Sequence, residues 1–599
     1  MHYVPTDGNT KRVSVRDLTA RLRFWPWMLG FQLACGLILW LAYRALRNLW
    51  VVLMRGEARS AAANGDVLIV FRTWQGWLII ALALAVLAIV AAVDISGLFI
   101  LSRQILEGGR IRLFSAIGQG FLKVRRFLGV KGIPVIAWLI VMSLMAGLGI
   151  SLPKTKNFYI PEFITTAVFS SPVLIIAYIL GLVILTVLGL RNIFLVPYVV
   201  LEDRTVAEAS ALGHMMFRHR RGPFIRRYVI FIVLSIALPA AAAVILTGLP
   251  VLALNLIGLP ENVRRFILLL AFYAGAAVLS VFALILIPML ILELTRLFFT
   301  YRTGVEVKVP GPGPGPRARP EVILFLAAVG AVFLAAGISV KFFDELYPVS
   351  KDIVIVAHRL GGHASVENSL EGEAVSTLLG VYGYETDVQR SGDGVYVINH
   401  DNTFRRVYGE TRAVSEMDWE EISLLETEDD DGNIIHPASL DEVMNEAQAH
   451  LYIELKGPTA DIDMCDDVVS LIYERGLQDE CTVISMNYPL ISYIHNHYED
   501  IRTGYVCYFS VAELDSVDCD IVILQEETAM DEVIFMEHAQ GREVYVWTVN
   551  SYDSARYFLN SNVDGIITDE MSMCQEMQDQ LAQRNDFERI ADGLMRVLI

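Results

Sequence analysis

Apolar residues follow two regimes along the 599-residue chain. Up to about residue 343 they form long unbroken runs; from Ile353 onward they form short runs divided by polar, amphipathic stretches. A helix needs about 20 apolar residues to cross a bilayer, because it rises ~1.5 Å per residue through ~30 Å of hydrocarbon. Seven stretches reach that length: Trp27–Val51, Leu78–Leu101, Pro134–Leu152, Pro172–Tyr198, Tyr228–Leu249, Phe266–Glu293 and Val322–Phe342. Arg44 and Arg47 interrupt the first, which leaves a hairpin or an interfacial helix open there. The run PGPGPGPRARP at Pro310–Pro320 cannot continue a helix or strand, and it separates six spans from a last one.

In the second half the short runs are β-branched: IVIVAH, YETDVQ, VYVINH, LYIELK, TVISM, TGYVCY, IVIL, EVYVWTV and GIITD. Strands alternating with helical patterns predict βα units around a parallel sheet. Only Arg390–Gly394 separates the second run from the third, and its Asp-Gly signals a hairpin turn. Nine runs less one hairpin partner leave eight, the strand number of a (β/α)8 TIM barrel. The expected fold is a polytopic α-helical membrane domain followed by an α/β barrel. Its parts are a multi-span domain at 1–309, a linker at 310–320, a final transmembrane helix at 321–343, a barrel at 350–575 and a C-terminal helix at 576–599.

Charge adds a direction to this picture. Of 48 Lys+Arg, 33 precede residue 341, whereas 52 of the 66 Asp+Glu follow it. Basic loops lie after the second, fourth and sixth spans, around Arg103–Lys131, Arg191–Arg227 and Arg296–Arg319. Lys- and Arg-rich loops stay on the cytoplasmic side, so the last span should deliver the acidic C-terminal domain outside the cell. Arg55, Arg59 and Arg72 in the first loop run against that rule. The acidic half lacks a basic stripe with interleaved aromatics, so nucleic acid is not an expected partner. Six scattered cysteines without a C-x-x-C offer no structural zinc site. The first apolar run exceeds a signal-peptide core and is expected to be retained. Asp94 lies inside the second span, where a carboxylate is either functional or sits near the cytoplasmic interface with Arg103 or water as its partner.

A barrel gathers its reactive groups at the C-terminal ends of its strands. His358 and Arg359 end the first run, Glu385 and Asp387 the second, His400 and Asp401 the hairpin return, and Glu454 and Lys456 the run after that. The i, i+2 spacing of Glu385 with Asp387, and of Glu454 with Lys456, puts each pair on one strand face. Histidines, carboxylates and cations so placed are the equipment for metal-assisted cleavage of a phosphate ester.

These residues resemble the glycerophosphodiester phosphodiesterase family over about Val354–Glu570. The matching motifs are His358-Arg359-Leu360, Val366-Glu367-Asn368-Ser369, Glu385-Thr386-Asp387-Val388, Asp393-Gly394 leading to His400-Asp401, and Glu454-Leu455-Lys456. His436–Val443, Trp547-Thr548-Val549-Asn550 and Asp564–Asp569 match later. The multi-span half resembles the membrane domain attached to some bacterial members. Leu360, Val366 and Ser369 stand where the family has Gly, Pro and Thr. Gly361 and Gly362 follow at once and are expected to supply the backbone freedom that Leu360 removes.

The resemblance implies hydrolysis of glycerophosphodiesters to glycerol 3-phosphate and an alcohol. It implies one divalent cation on Glu385, Asp387 and Glu454, and three carboxylates suit Ca²⁺ or Mg²⁺ better than zinc. It implies His358 and His400 as the acid/base pair, and Arg359 and Lys456 as phosphate holders. In this family the glycerol 2-hydroxyl can attack internally, giving a cyclic phosphate that water opens. Asn368 orients the metal site; Glu367 joins the site or caps a helix starting near Ser369. Asp401 supports the site or belongs to a turn, and Trp547 walls the glycerol pocket or belongs to the core. His363, His436, His450, His495, His497 and His538 are expected at the surface or in loops, and Glu426–Asp431 as a solvated loop. The lipid bilayer is the other expected partner. The competing readings are phospholipase-type cleavage of a lipid headgroup and a non-catalytic phosphoglycerol-binding or transport protein.

Overall fold

In a computed structural model, residues 15–54, 73–127, 171–254, 256–310, 320–349, 351, 353–429, 431–507 and 517–598 are described. The chain separates into two compact units: one holds the described residues within 1–50 and 77–343, the other those within 51–76 and from Asp344 onward.

Among the described residues, six helices before Asp344 are long and apolar enough to cross a membrane: Trp25–Met54, Trp74–Glu107, Pro172–Arg191, Val206–Leu254, Glu261–Thr303 and Pro320–Lys341. The expected span Pro134–Leu152 lies outside the described residues, as does the linker between Pro310 and Pro320. Arg44 and Arg47 break nothing, since Trp25–Met54 is one continuous helix. The expected span Pro172–Tyr198 does break. Its helix ends at Arg191, where the Asn192 side chain donates to the Leu188 carbonyl (2.9 Å), and a buried seven-residue helix, Leu195–Leu201, follows. Leu33, Val183, Leu246 and Phe325 point outward on these helices, a face suited to lipid. Asp94 is buried, and Arg103 pairs with Glu107 (2.7 Å) instead.

One charged cluster is sealed inside this unit. Glu293 accepts four bonds: from Arg21, from Arg227 Nε (3.1 Å), and from Arg296 Nε and Nη2 (both 2.9 Å). All four residues are buried, and they tie the helices Val15–Leu22, Val206–Leu254 and Glu261–Thr303 together.

The second unit is a closed parallel barrel. Its eight strands are Val354–Ala357, Gly383–Arg390, His450–Leu455, Cys481–Ser485, Arg502–Cys507, Ile521–Gln525, Glu543–Trp547 and Gly565–Thr568. The first pairs with the last and with the second, which closes the ring. Tyr396–Ile398 lies antiparallel on the second strand, as the Asp-Gly turn predicted. Val356, Tyr452, Ile484, Ile523, Tyr545 and Ile567 fill the barrel, and a second apolar layer joins the strands to the surrounding helices. The nine predicted runs therefore become these nine strands, because β-branched side chains fit a sheet covered on both faces.

Residues 576–599 do not form one helix. Met571–Ala582 and Asp586–Leu598 are separate, because Asn585 starts the second by accepting from the amides of Phe587 and Glu588. Glu426–Asp431 is not wholly loop either: Thr427–Glu428 pairs with Ile434–Ile435 in a small hairpin. His450 begins a barrel strand, stacked beside Tyr382 and bonded to Thr482 (2.8 Å), so it is not a surface residue.

Candidate active site

Strand register assembles the acidic side chains. Asp387 sits directly opposite Glu454 across the parallel pair, and Glu385 lies two residues back on the same face. All three are buried, with one ligand oxygen from each within 4.8 Å of the others. Lys456 Nζ bridges them, donating to Asp387 Oδ1 (2.7 Å) and Glu454 Oε2 (3.2 Å). Asn368 fixes the remaining Asp387 oxygen, Nδ2 to Oδ2 at 2.9 Å. Its own carbonyl oxygen accepts from the Thr386 hydroxyl (3.0 Å), so its amide is oriented from both ends.

The cluster is not electrically complete. Burial, then repulsion from Asp387, pushes the Glu385 carboxyl up to about 8. Burial raises Glu454 as well. Asp387 goes the other way: burial opposes ionisation, but Lys456, His400 and Arg359 hold it well below the usual carboxylate range. Lys456 is raised because the carboxylate charges outweigh its burial. Three buried carboxylates facing one lysine make an all-oxygen donor set with negative charge to spare, and a hard divalent cation fits that set.

The loop after the first strand wraps Glu385. The Arg359 amide donates to Glu385 Oε2 (2.9 Å), the Leu360 amide to the Glu385 carbonyl (2.7 Å), and the Asn368 amide to the Arg359 carbonyl (2.7 Å). This path needs positive φ at Arg359 (52°), Leu360 (69°) and Asn368 (54°). Arg359 and Leu360 each cost about 1–2 kcal/mol in this conformation, which Asn368 adopts more readily. Leu360 is fully buried in the apolar layer. That burial is worth about 1.5–3 kcal/mol and offsets its own strain. The expectation for the two glycines holds only for Gly362, at φ 54°; Gly361 stays at −125°, and Leu360 adopts the left-handed conformation itself. A Cβ on Gly362 would meet the Asp569 carbonyl oxygen at 2.5 Å, so a side chain is excluded there.

Both histidines are held at Nδ1 by a carboxylate. His358 Nδ1 lies 2.7 Å from Asp569 Oδ1, and His400 Nδ1 lies 2.7 Å from Asp401 Oδ1. A carboxylate there keeps the proton on Nδ1 and leaves Nε2 for another partner. Burial lowers the His358 pKa, but the Asp569 bond and the Glu385 charge outweigh it and the net shift is upward. At His400 burial prevails over the Asp387 charge and the Asp401 bond, and the pKa falls. Asn550 holds Asp569 in turn, Nδ2 to Oδ2 at 2.6 Å.

Glu367 caps nothing. Ser369 is the N-cap of helix Leu370–Leu379, while Glu367 accepts from Arg359 Nη1 (3.0 Å) and from both terminal nitrogens of Arg406 (2.5 and 2.6 Å). Asp401 is more than a turn residue, since it links His400 to Arg406 Nε (2.8 Å). Trp547 ends its strand half-buried against the apolar filling of the barrel. His363 is exposed beside Glu570. The sequence placed Asp569 and Asn550 in matching motifs without a role, and it did not point to Arg406. The strand-end rule points to Asp569, which follows the last strand directly. Arg406 carried no comparable signal.

Two family models match the chain. The glycerophosphoryl diester phosphodiesterase family covers residues 358–573, and the membrane domain of glycerophosphoryl diester phosphodiesterase covers 21–310. This chain belongs to the glycerophosphoryl diester phosphodiesterase family. Glycerophosphodiester phosphodiesterase 1 of Rattus norvegicus is 22% identical over 262 residues, covering 36% of this chain and 77% of that protein. A glycerophosphodiester phosphodiesterase of Arabidopsis thaliana is 21% identical over 243 residues, 38% of this chain and 74% of that protein. Among solved structures, a phosphodiesterase of Oleispira antarctica in complex with the product sn-glycerol-3-phosphate matches at 22% identity and TM-score 0.34, covering 39% of this chain and 99% of that one. The chain is thus a multi-pass membrane phosphodiesterase, and the family reaction is hydrolysis of glycerophosphodiesters.

Proposed function

We propose that the barrel hydrolyses glycerophosphodiesters to glycerol 3-phosphate and an alcohol with one divalent cation and two histidines. The observation that carries this reading is the pair of histidines, each fixed at Nδ1 by a carboxylate, beside three buried carboxylates. Glu385, Asp387 and Glu454 would hold the cation, and Ca²⁺ and Mg²⁺ both suit their oxygens. When bound, it supplies positive charge to the phosphate oxygens.

The chain's own residues do the rest. Arg359 presents a planar guanidinium and Lys456 a point charge to the phosphate. One histidine takes the proton of the attacking hydroxyl at Nε2. The other gives a proton to the departing alkoxide as the new P–O bond forms and the old one breaks. The attacking hydroxyl is either water or the glycerol 2-hydroxyl; in the second case water opens the cyclic phosphate afterwards. Asp569 and Asp401 keep the imidazoles in the tautomer this transfer needs. Trp547, at its strand end, would border the glycerol moiety.

The full-length protein should release glycerol 3-phosphate from glycerophosphocholine or a polyglycerophosphate and leave intact phospholipid uncut. His358→Ala and His400→Ala should each abolish release with the melting temperature preserved; full activity in both rejects the mechanism. Excess EDTA should silence the enzyme. The basic loops further support a barrel outside the cell, attached to the bilayer by Pro320–Lys341. Protease added to whole cells should then remove the barrel, and complete protection would reverse the orientation.

A further inference from the structure

We propose that Arg406 is a positioning residue that couples His400 to Arg359, an inference that rests on the proton-transfer and phosphate-binding roles given to those two residues. Arg406 lies in the short helix Arg405–Tyr408, beyond the hairpin strand Tyr396–Ile398 that leads to His400. Its three guanidinium nitrogens are divided between two acids. Nε holds Asp401 Oδ2 at 2.8 Å, and the opposite oxygen of that carboxylate faces His400 Nδ1 at 2.7 Å. Nη1 and Nη2 hold both oxygens of Glu367, at 2.5 and 2.6 Å. Glu367 Oε2 is shared, since it also accepts from Arg359 Nη1 at 3.0 Å.

Two separate consequences follow for the reaction. A carboxylate gripped on one oxygen cannot rotate its other oxygen away from the imidazole, so Arg406 sets the orientation and tautomer of His400 through Asp401. The second concerns Arg359. Because Arg406 takes Glu367 in a two-pronged grip, Glu367 gives Arg359 only one shared bond. Arg359 Nε makes no hydrogen bond; it stands 3.7 Å from Asp387 Oδ2. Its guanidinium therefore keeps donors for a phosphate. Without Arg406 the Glu367 carboxylate would close on Arg359 as a bidentate pair, the strongest geometry open to it, and would compete with the phosphate. The Arg406 side chain is 47% exposed. Half-exposed ion pairs contribute little to folding. Its loss should change geometry while the fold persists.

The test is steady-state hydrolysis of glycerophosphocholine by the full-length protein as wild type, R406Q, R406K, D401N, the R406Q/D401N double variant and H400A, with melting temperatures for each. R406Q should lower kcat about 10- to 100-fold, the scale of a slightly misplaced catalytic group. It should also raise KM, and its melting temperature should be unchanged. R406K, which keeps the charge but not the fork, should recover part of kcat. D401N should lower kcat alone. Adding R406Q to D401N should lower kcat no further yet still raise KM, because the two share one route to His400 and only Arg406 reaches Arg359. Wild-type kcat and KM in R406Q, or kcat losses that multiply in the double variant, would overturn the coupling while an inactive H400A left the histidine mechanism standing. Full activity in H400A would overturn that mechanism and the coupling with it.

Discussion

Two buried charge clusters, one in each unit, follow opposite logic. In the membrane unit three arginines converge on one glutamate, and Glu293 accepts four hydrogen bonds. A carboxylate has about four acceptor positions, so it has nothing left to offer. In the barrel three carboxylates share one lysine, and Glu385 is driven toward its neutral form. In the first cluster the one carboxylate is saturated and the arginines are in excess, and the cluster ties helices together. The second is complete only when a further positive charge arrives. Burial of charge is common to both, so burial alone does not mark a functional site; an excess of carboxylates, which a cation can answer, sets the barrel cluster apart.

The largest difference should appear when one carboxylate of each is neutralised. Asp387→Asn should cost about 10³-fold or more in kcat, because it removes a proposed cation ligand and the anchor of Lys456. Glu293→Gln should leave the hydrolysis rate of the folded protein unchanged. It should instead destabilise the membrane unit by about 3–5 kcal/mol, the cost of stranding buried arginines. Thermal unfolding in detergent alongside the rate assay checks both. Equal losses of activity in the two variants would erase the distinction.

Divalent cation should stabilise the barrel by about 2.7 kcal/mol at a hundredfold excess over its dissociation constant, read as a rise in its melting temperature. Asp387→Asn should cut the rise to about half or less at the same cation concentration, and Glu293→Gln should keep it.

The smallest effect concerns a third kind of buried acid. Glu373 is 2% exposed, and its Oε2 has no hydrogen-bond partner. Burial, then the nearby Glu446, pushes it up to about 7 from 4.5. The folded state therefore holds this proton over a pH range where the unfolded chain releases it. Its contribution to stability is full below about pH 4.5 and is lost as pH rises to about 7. Glu373→Gln should remove that loss, adding about 1–2 kcal/mol above pH 7 once solvent screening is allowed for, and nothing near pH 4. Melting curves across that range decide it.

The barrel was legible because its strands are local β-branched runs and its carboxylates fall at their ends, a pattern within a few residues of sequence. Asp387 beside Glu454 also follows, since adjacent parallel strands place their ends together. The partners of the histidines were harder. Asp569 is 211 residues from His358, and only closure of the last strand on the first joins them. Arg406 bridges Asp401, five residues away, and Glu367, 39 residues away, and neither spacing has a period to read. The break at Arg191-Asn192 was hidden for another reason: only two polar residues mark it, and apolar residues resume at once on its far side.

Calorimetric titration of Ca²⁺ and Mg²⁺ into chelator-treated full-length protein tests the central claim most directly. One saturable site should appear in the wild type and in Glu293→Gln, and affinity should fall by at least about tenfold in Asp387→Asn. An absence of binding in the wild type, or equal binding in Asp387→Asn, would contradict the account.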